Sequence, residues 1–97
     1  MIQLDLNNPE FQANLFALSK QDALAVLKTL RILHAMSWEQ LHRSKGLRWE
    51  LIQSRHGPGG ERLYSLRVTR SFRAVAWRDG PWLRLLTLHP DHDSAYS

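Results

Sequence analysis

The chain is 97 residues long, enough for one domain with one modest core. A hydrophobic fraction of 43% excludes a disordered tail, and the absence of cysteine excludes disulfides, thiolate nucleophiles and zinc–cysteine sites. The net charge of +4 is uneven: residues 1–40 carry three basic against four acidic groups, residues 41–97 ten against five, and nine of those ten are arginine. Arginine suits bidentate phosphate contact, so the composition predicts a polyanion, or an acidic protein segment competing for the same surface, as partner.

Residues 1–8 lack the basic region and apolar run of a secretory signal, and no apolar stretch approaches the roughly 20 residues of a membrane span. A soluble cytoplasmic protein with no membrane partner is expected. Ile2-Gln3-Leu4-Asp5-Leu6 alternates as a short half-buried strand does, over residues 2–6. Asn8 before Pro9 reads as a helix N-cap followed by proline at the first helical position. Ser19-Lys20-Gln21-Asp22 resembles a capping box, opening a helix with Ala23, Val26, Leu27, Leu30 and Leu33 on one face. Ser37-Trp38-Glu39-Gln40 repeats the signal, and Gly46 is expected to end that short helix. Segment 9–45 is therefore helical, broken near residues 19 and 37.

From Arg48 the pattern changes to strands, predicting a sheet over residues 48–89. Trp49–Ile52 is short, and His56-Gly57-Pro58-Gly59-Gly60 reads as a turn, since it lacks the Gly-Lys-Ser/Thr ending of a phosphate-binding loop. Leu63–Val68, Phe72–Arg78 and Trp82–His89 follow as three antiparallel strands. A three-residue loop at Thr69-Arg70-Ser71 pairs Val68 with Phe72, Leu66 with Ala74 and Arg67 with Arg73. A two-residue turn at Asp79-Gly80 pairs Trp77 with Trp82, Val75 with Arg84 and Arg73 with Leu86. One sheet face then carries Tyr64, Leu66, Val68, Phe72, Ala74, Ala76, Leu83 and Leu85, an apolar surface on which helices can pack. The other carries Ser65, Arg67, Arg73, Val75, Trp77, Trp82 and Arg84. The expected class is α+β, with an N-terminal strand and helices on one face of a small, mainly antiparallel sheet. Two arginines directly opposed on neighbouring strands are unfavourable without an anion between them.

In this arrangement the chain resembles the RelE/ParE superfamily of bacterial toxin–antitoxin systems. The likeness rests on Gly46-Leu47-Arg48-Trp49-Glu50-Leu51-Ile52, on the paired Ser65-Leu66-Arg67-Val68 and Phe72-Arg73-Ala74, and on His92-Asp93-Ser94-Ala95-Tyr96. It covers roughly residues 46–97 and implies one toxin domain over residues 1–97, with a functional tail over residues 90–97. It further implies a cognate antitoxin and, in the RelE branch, metal-independent and cofactor-free cleavage of mRNA on the ribosome. Under that resemblance Arg67 and Arg73 hold the scissile phosphate, Glu50 stands where some relatives place a carboxylate base, and His92 and Tyr96 transfer protons. Arg84 and His89 are additional candidates for phosphate or RNA contact. The lysines that many such nucleases place before the arginine strands are absent.

Two alternatives stand beside this. One is a ParE-type toxin that poisons DNA gyrase; the other is a non-catalytic RNA- or protein-binding module on the same scaffold. His89, Asp91, His92 and Asp93 also permit a metal reading, but no spacing fixes a complete ligand set, so no metal is expected.

Overall fold

Three polar side chains set where the helices begin. In the computed structural model, which describes residues 1–90, the Asn8 side chain accepts from the backbone N–H groups of Glu10 and Phe11 and opens α1 (Pro9–Phe16). Ser19 accepts from the Asp22 N–H and opens α2 (Lys20–His34). Ser37 and Gln40 exchange side-chain-to-backbone bonds in a full capping box at the start of α3 (Trp38–Arg43). The third helix stops at Ser44, ahead of Gly46.

The strands are β1 (Gln3–Asp5), β2 (Glu50–His56), β3 (Arg62–Thr69), β4 (Phe72–Asp79) and β5 (Trp82–His89). They form one sheet in the order β1-β5-β4-β3-β2, antiparallel except for β1, which runs parallel to β5. Backbone bonds from Ile2 N to Met36 O and from Gln3 N to Pro81 O, each 3.0 Å, seat β1 between the end of α2 and the last hairpin. The architecture is the expected α+β class.

Alternation along each strand separates the two faces. Toward the helices point Leu66, Phe72, Ala74, Ala76, Leu83 and Leu85, all buried, packed with Phe11, Val26, Leu33 and Leu41. The alanines on β4 give the helices room to approach.

Three parts of the strand pattern differ from the sequence expectation. The hairpin between β3 and β4 turns at Arg70-Ser71 with Thr69 opposite Phe72, and a bulge at Val68 restores the expected pairing of Arg67 with Arg73. The last hairpin turns at Gly80-Pro81, because Asp79 pairs with Trp82 and Trp77 with Arg84. A turn at Asp79-Gly80 needs the N–H of Pro81 to close it, and proline has none. Moved to the second central position, Pro81 follows Gly80 at φ +58°, the positive value that glycine adopts freely. A bulge then inserts Leu86 into β5, since Val75 pairs with Thr87 but Ala76 with Leu85. Together these bring His89, not Leu86, opposite Arg73. The third difference is β2, which runs on to His56 instead of ending at Ile52.

Candidate functional site

On the face away from the helices, β5, β4 and β3 align His89, Arg73 and Arg67 in one cross-strand row. The next row holds Thr87, Val75 and Ser65, and Glu50 extends it onto β2. The Arg67–Arg73 pairing follows the expected register. Opposed strand residues have Cα atoms about 5 Å apart, so the two guanidinium groups start from neighbouring positions.

Burial sharpens the oddity of that pair. Arg73 is 4% exposed, Ser65 and Thr87 are also buried, and among the described residues the helices pack on the other face. The Nε of Arg67 is buried without a hydrogen-bond partner among the described residues. Its backbone N–H donates to Leu47 O at 2.7 Å, tying β3 to the turn that precedes β2. A buried guanidinium donor without an acceptor costs free energy, and an anion supplies the acceptor.

His89 completes the row. Its Nε2 lies 2.8 Å from Thr87 Oγ1. Burial pushes its pKa below the ordinary 6.5, the positive charge of Arg55 pushes it the same way, and Glu10 partly opposes them. Near neutral pH the imidazole is therefore neutral and able to accept a proton.

The remaining sequence candidates fall elsewhere. Glu50 has a half-exposed carboxylate 3.5 Å from Arg48 Nε, at the outer strand and one row from the arginine pair. Arg84 sits at the opposite end of the face, bound to Asp5 at 2.5 Å and Asp79 at 2.9 Å, and this engagement removes it from the arginine row. Trp77 and Trp82 do not oppose each other as expected; the Arg84 guanidinium lies 5.9 Å and 5.7 Å from their ring centroids. His92 and Tyr96, like Asp91 and Asp93, lie outside the described residues. Among the described residues no three His, Asp or Glu side chains gather to hold a metal, and no helix is long and apolar enough to cross a membrane.

Between the two arginine ends lies a small apolar cluster of Ile52, Leu63 and Val75, packed with Trp77 and Leu86. The glycine loop is occupied by its own chain: the Gly59 N–H donates to the Glu61 carboxylate at 3.1 Å, and a Cβ on Gly57 or Gly59 would collide with that carboxylate.

Sequence reasoning passed over Ser65 and Thr87 as site residues, although each stands two positions from a row member in the alternation. It also passed over Arg48, whose φ of 49° is the one positive value at a non-glycine residue among those described. No sequence signal marks that conformation.

No family model, curated protein or solved structure matches the chain.

Proposed function

We propose that this chain is a toxin of the RelE type, an endoribonuclease that holds the scissile phosphate of ribosome-bound mRNA between Arg67 and Arg73. The observation that carries this reading is the opposed arginine pair itself, with Arg73 buried on the sheet face opposite the described helices. In the reaction the ribose 2′-oxygen forms a bond to the adjacent phosphorus and the bond from phosphorus to the 5′-oxygen breaks. The 2′-hydroxyl proton passes to a base, and the leaving oxygen receives one from an acid. The two guanidinium forks stabilise the charge that develops on the phosphoryl oxygens. His89, neutral and opposite Arg73, is positioned to accept a proton. The resemblance adds His92 and Tyr96 as further proton-transfer groups and Glu50 as a second candidate base. No metal takes part in this scheme. A cognate antitoxin, acidic or amphipathic, would cover the arginine-rich surface in the cytoplasm and silence it.

Inducing the chain alone while following pulse-labelled protein and DNA synthesis tests the reading. Early loss of translation with replication intact is expected. Early loss of replication would transfer the chain to the gyrase-inhibiting class, and unimpaired growth would overturn the toxin reading.

A further inference from the structure

A second cationic cleft lies beside the arginine row, around the outer edge of the sheet. It has a volume of about 380 Å³ and is lined by His42, Ser44, Lys45, Arg48, Trp49 and Glu50. Three properties set it apart from an ordinary solvated edge. Arg48 is held at φ 49°, a conformation that costs a residue with a side chain and tends to persist where a side chain is being aimed. The Trp49 indole is braced on two sides, stacked on Tyr64 at 4.5 Å between centroids with 8° between planes, and edge-on to Trp38 at 5.9 Å. A ring already fixed in place loses little entropy when a flat partner stacks on it. The third property is continuity: the Leu47–Arg67 backbone bond joins this turn to the phosphate row. From the pairing, Glu50 lies two strands and one row away from Arg73, about 12 Å by strand spacing and rise.

Taking the phosphate-binding reading of Arg67 and Arg73 as its base, we infer that the cleft holds a neighbouring nucleotide of the same single-stranded RNA. Its phosphate lies against Lys45 and Arg48, and its base against Trp49. The local chemistry permits this. The Arg48–Glu50 pair is long and nearly half exposed on both sides, so it is weak and a phosphate displaces the carboxylate readily. A cationic groove with an aromatic platform is the usual means by which proteins hold single strands without reading their sequence. The chain therefore grips RNA at two points, and only the arginine row carries the reacting phosphate.

The test is fluorescence anisotropy of a labelled single-stranded RNA oligomer across a salt series. It compares the unaltered protein, Arg73→Ala, and a Lys45→Gln/Arg48→Gly double variant. Glycine accepts the φ of residue 48 without strain, so the double variant keeps its turn. Its affinity should fall and its log–log salt slope should be shallower by about 0.7, the value for one lost single-strand phosphate contact. An abasic oligomer of equal length should bind the unaltered protein roughly 5- to 150-fold more weakly, the range of one base–aromatic stack. If the unaltered protein binds no RNA, or Arg73→Ala binds as well as it does, the phosphate reading of the arginine row fails. If Arg73→Ala loses affinity while the double variant keeps the full affinity and slope, the second grip fails and the first stands. Equal binding of the abasic oligomer would overturn the role given to Trp49. Loss of an acidic peptide but not of RNA by the double variant would make the cleft a protein surface instead.

Discussion

The two ends of the open sheet face use arginine in opposite ways. At one end Arg84 meets Asp5 from β1 and Asp79 from the last hairpin, with the indoles of Trp77 and Trp82 close by. Every partner comes with the fold, and the result fastens the parallel edge strand and the turn to β5. At the other end Arg67 faces Arg73, the Arg67 Nε is buried without an acceptor among the described residues, and the neighbouring imidazole is neutral. Here, among the described residues, the fold sets two guanidinium groups side by side and leaves the Arg67 Nε donor without an acceptor. The apolar cluster of Ile52, Leu63 and Val75 keeps the two ends apart. An arginine on a strand is thus a fastener where carboxylates arrive with it and, under the proposed function, a receptor where the residue across the ladder is a second arginine.

The largest effect expected of any change at these two ends is on activity. Under the proposed function Arg73→Ala removes a donor to the developing phosphoryl charge, and such losses typically lower rate by roughly 100- to 1,000-fold. Arg73→Lys keeps the charge but not the planar fork and should rescue poorly. RNA cleavage measured beside circular dichroism separates lost chemistry from lost fold. Folded Arg73→Ala with full activity would break the comparison at its receptor end.

Much of this contrast is legible in the sequence, and the illegible part has a definite cause. The helix starts are written in Asn8-Pro9, Ser19 and Ser37 because an N-cap is a local interaction between residues three apart. The face assignment is equally local, since alternation along β3 and β4 puts Arg67 and Arg73 away from Phe72 and Ala74 whatever the exact register. Pairing across β4 and β5 is different. It depends on one missing N–H at Pro81 and one inserted residue at Leu86, and each moves every later partner. The pairing of Arg73 with His89 emerges only when both are known. The Arg84 fastener was hidden for a further reason: Asp5 lies 79 positions away, on a parallel strand that no hairpin rule predicts. Arg48 gave no sign at all, because a positive φ at a residue with a side chain has no local sequence signature.

A middle-sized effect should appear at Arg67, with opposite signs in two measurements. Arg67→Leu removes one of two opposed like charges and a buried donor without an acceptor, so stability should rise by up to about 1 kcal/mol. RNA affinity should fall at the same time, with the salt slope shallower by about 0.7. Urea melts and anisotropy on the same preparation check both. A variant that loses stability would show that Arg67 is a fastener after all.

The smallest effect should come from the fastened end, and its pH dependence identifies it. The Asn7 backbone N–H donates to the Asp5 carboxylate at 2.9 Å, and with the Arg84 guanidinium it holds the Asp5 pKa below the ordinary 3.8, against a lesser opposing effect of burial. A depressed carboxylate pKa means that the folded state prefers the ionised form. The stability gained is fully present above the unfolded-state value, and it is lost as pH falls through that value toward the folded one. Asp5→Asn should therefore cost a few tenths to about 1 kcal/mol at pH 7, in line with a partly exposed ion pair. The cost should shrink toward zero as the buffer is taken below pH 3.8, where the native carboxyl also becomes protonated. RNA affinity should not change, because Asp5 belongs to the other end of the face. Urea melts of both proteins at neutral and acid pH give the first two numbers, and anisotropy gives the third. A loss of RNA affinity in Asp5→Asn would mean that the ends communicate through β5 and that the apolar cluster does not insulate them.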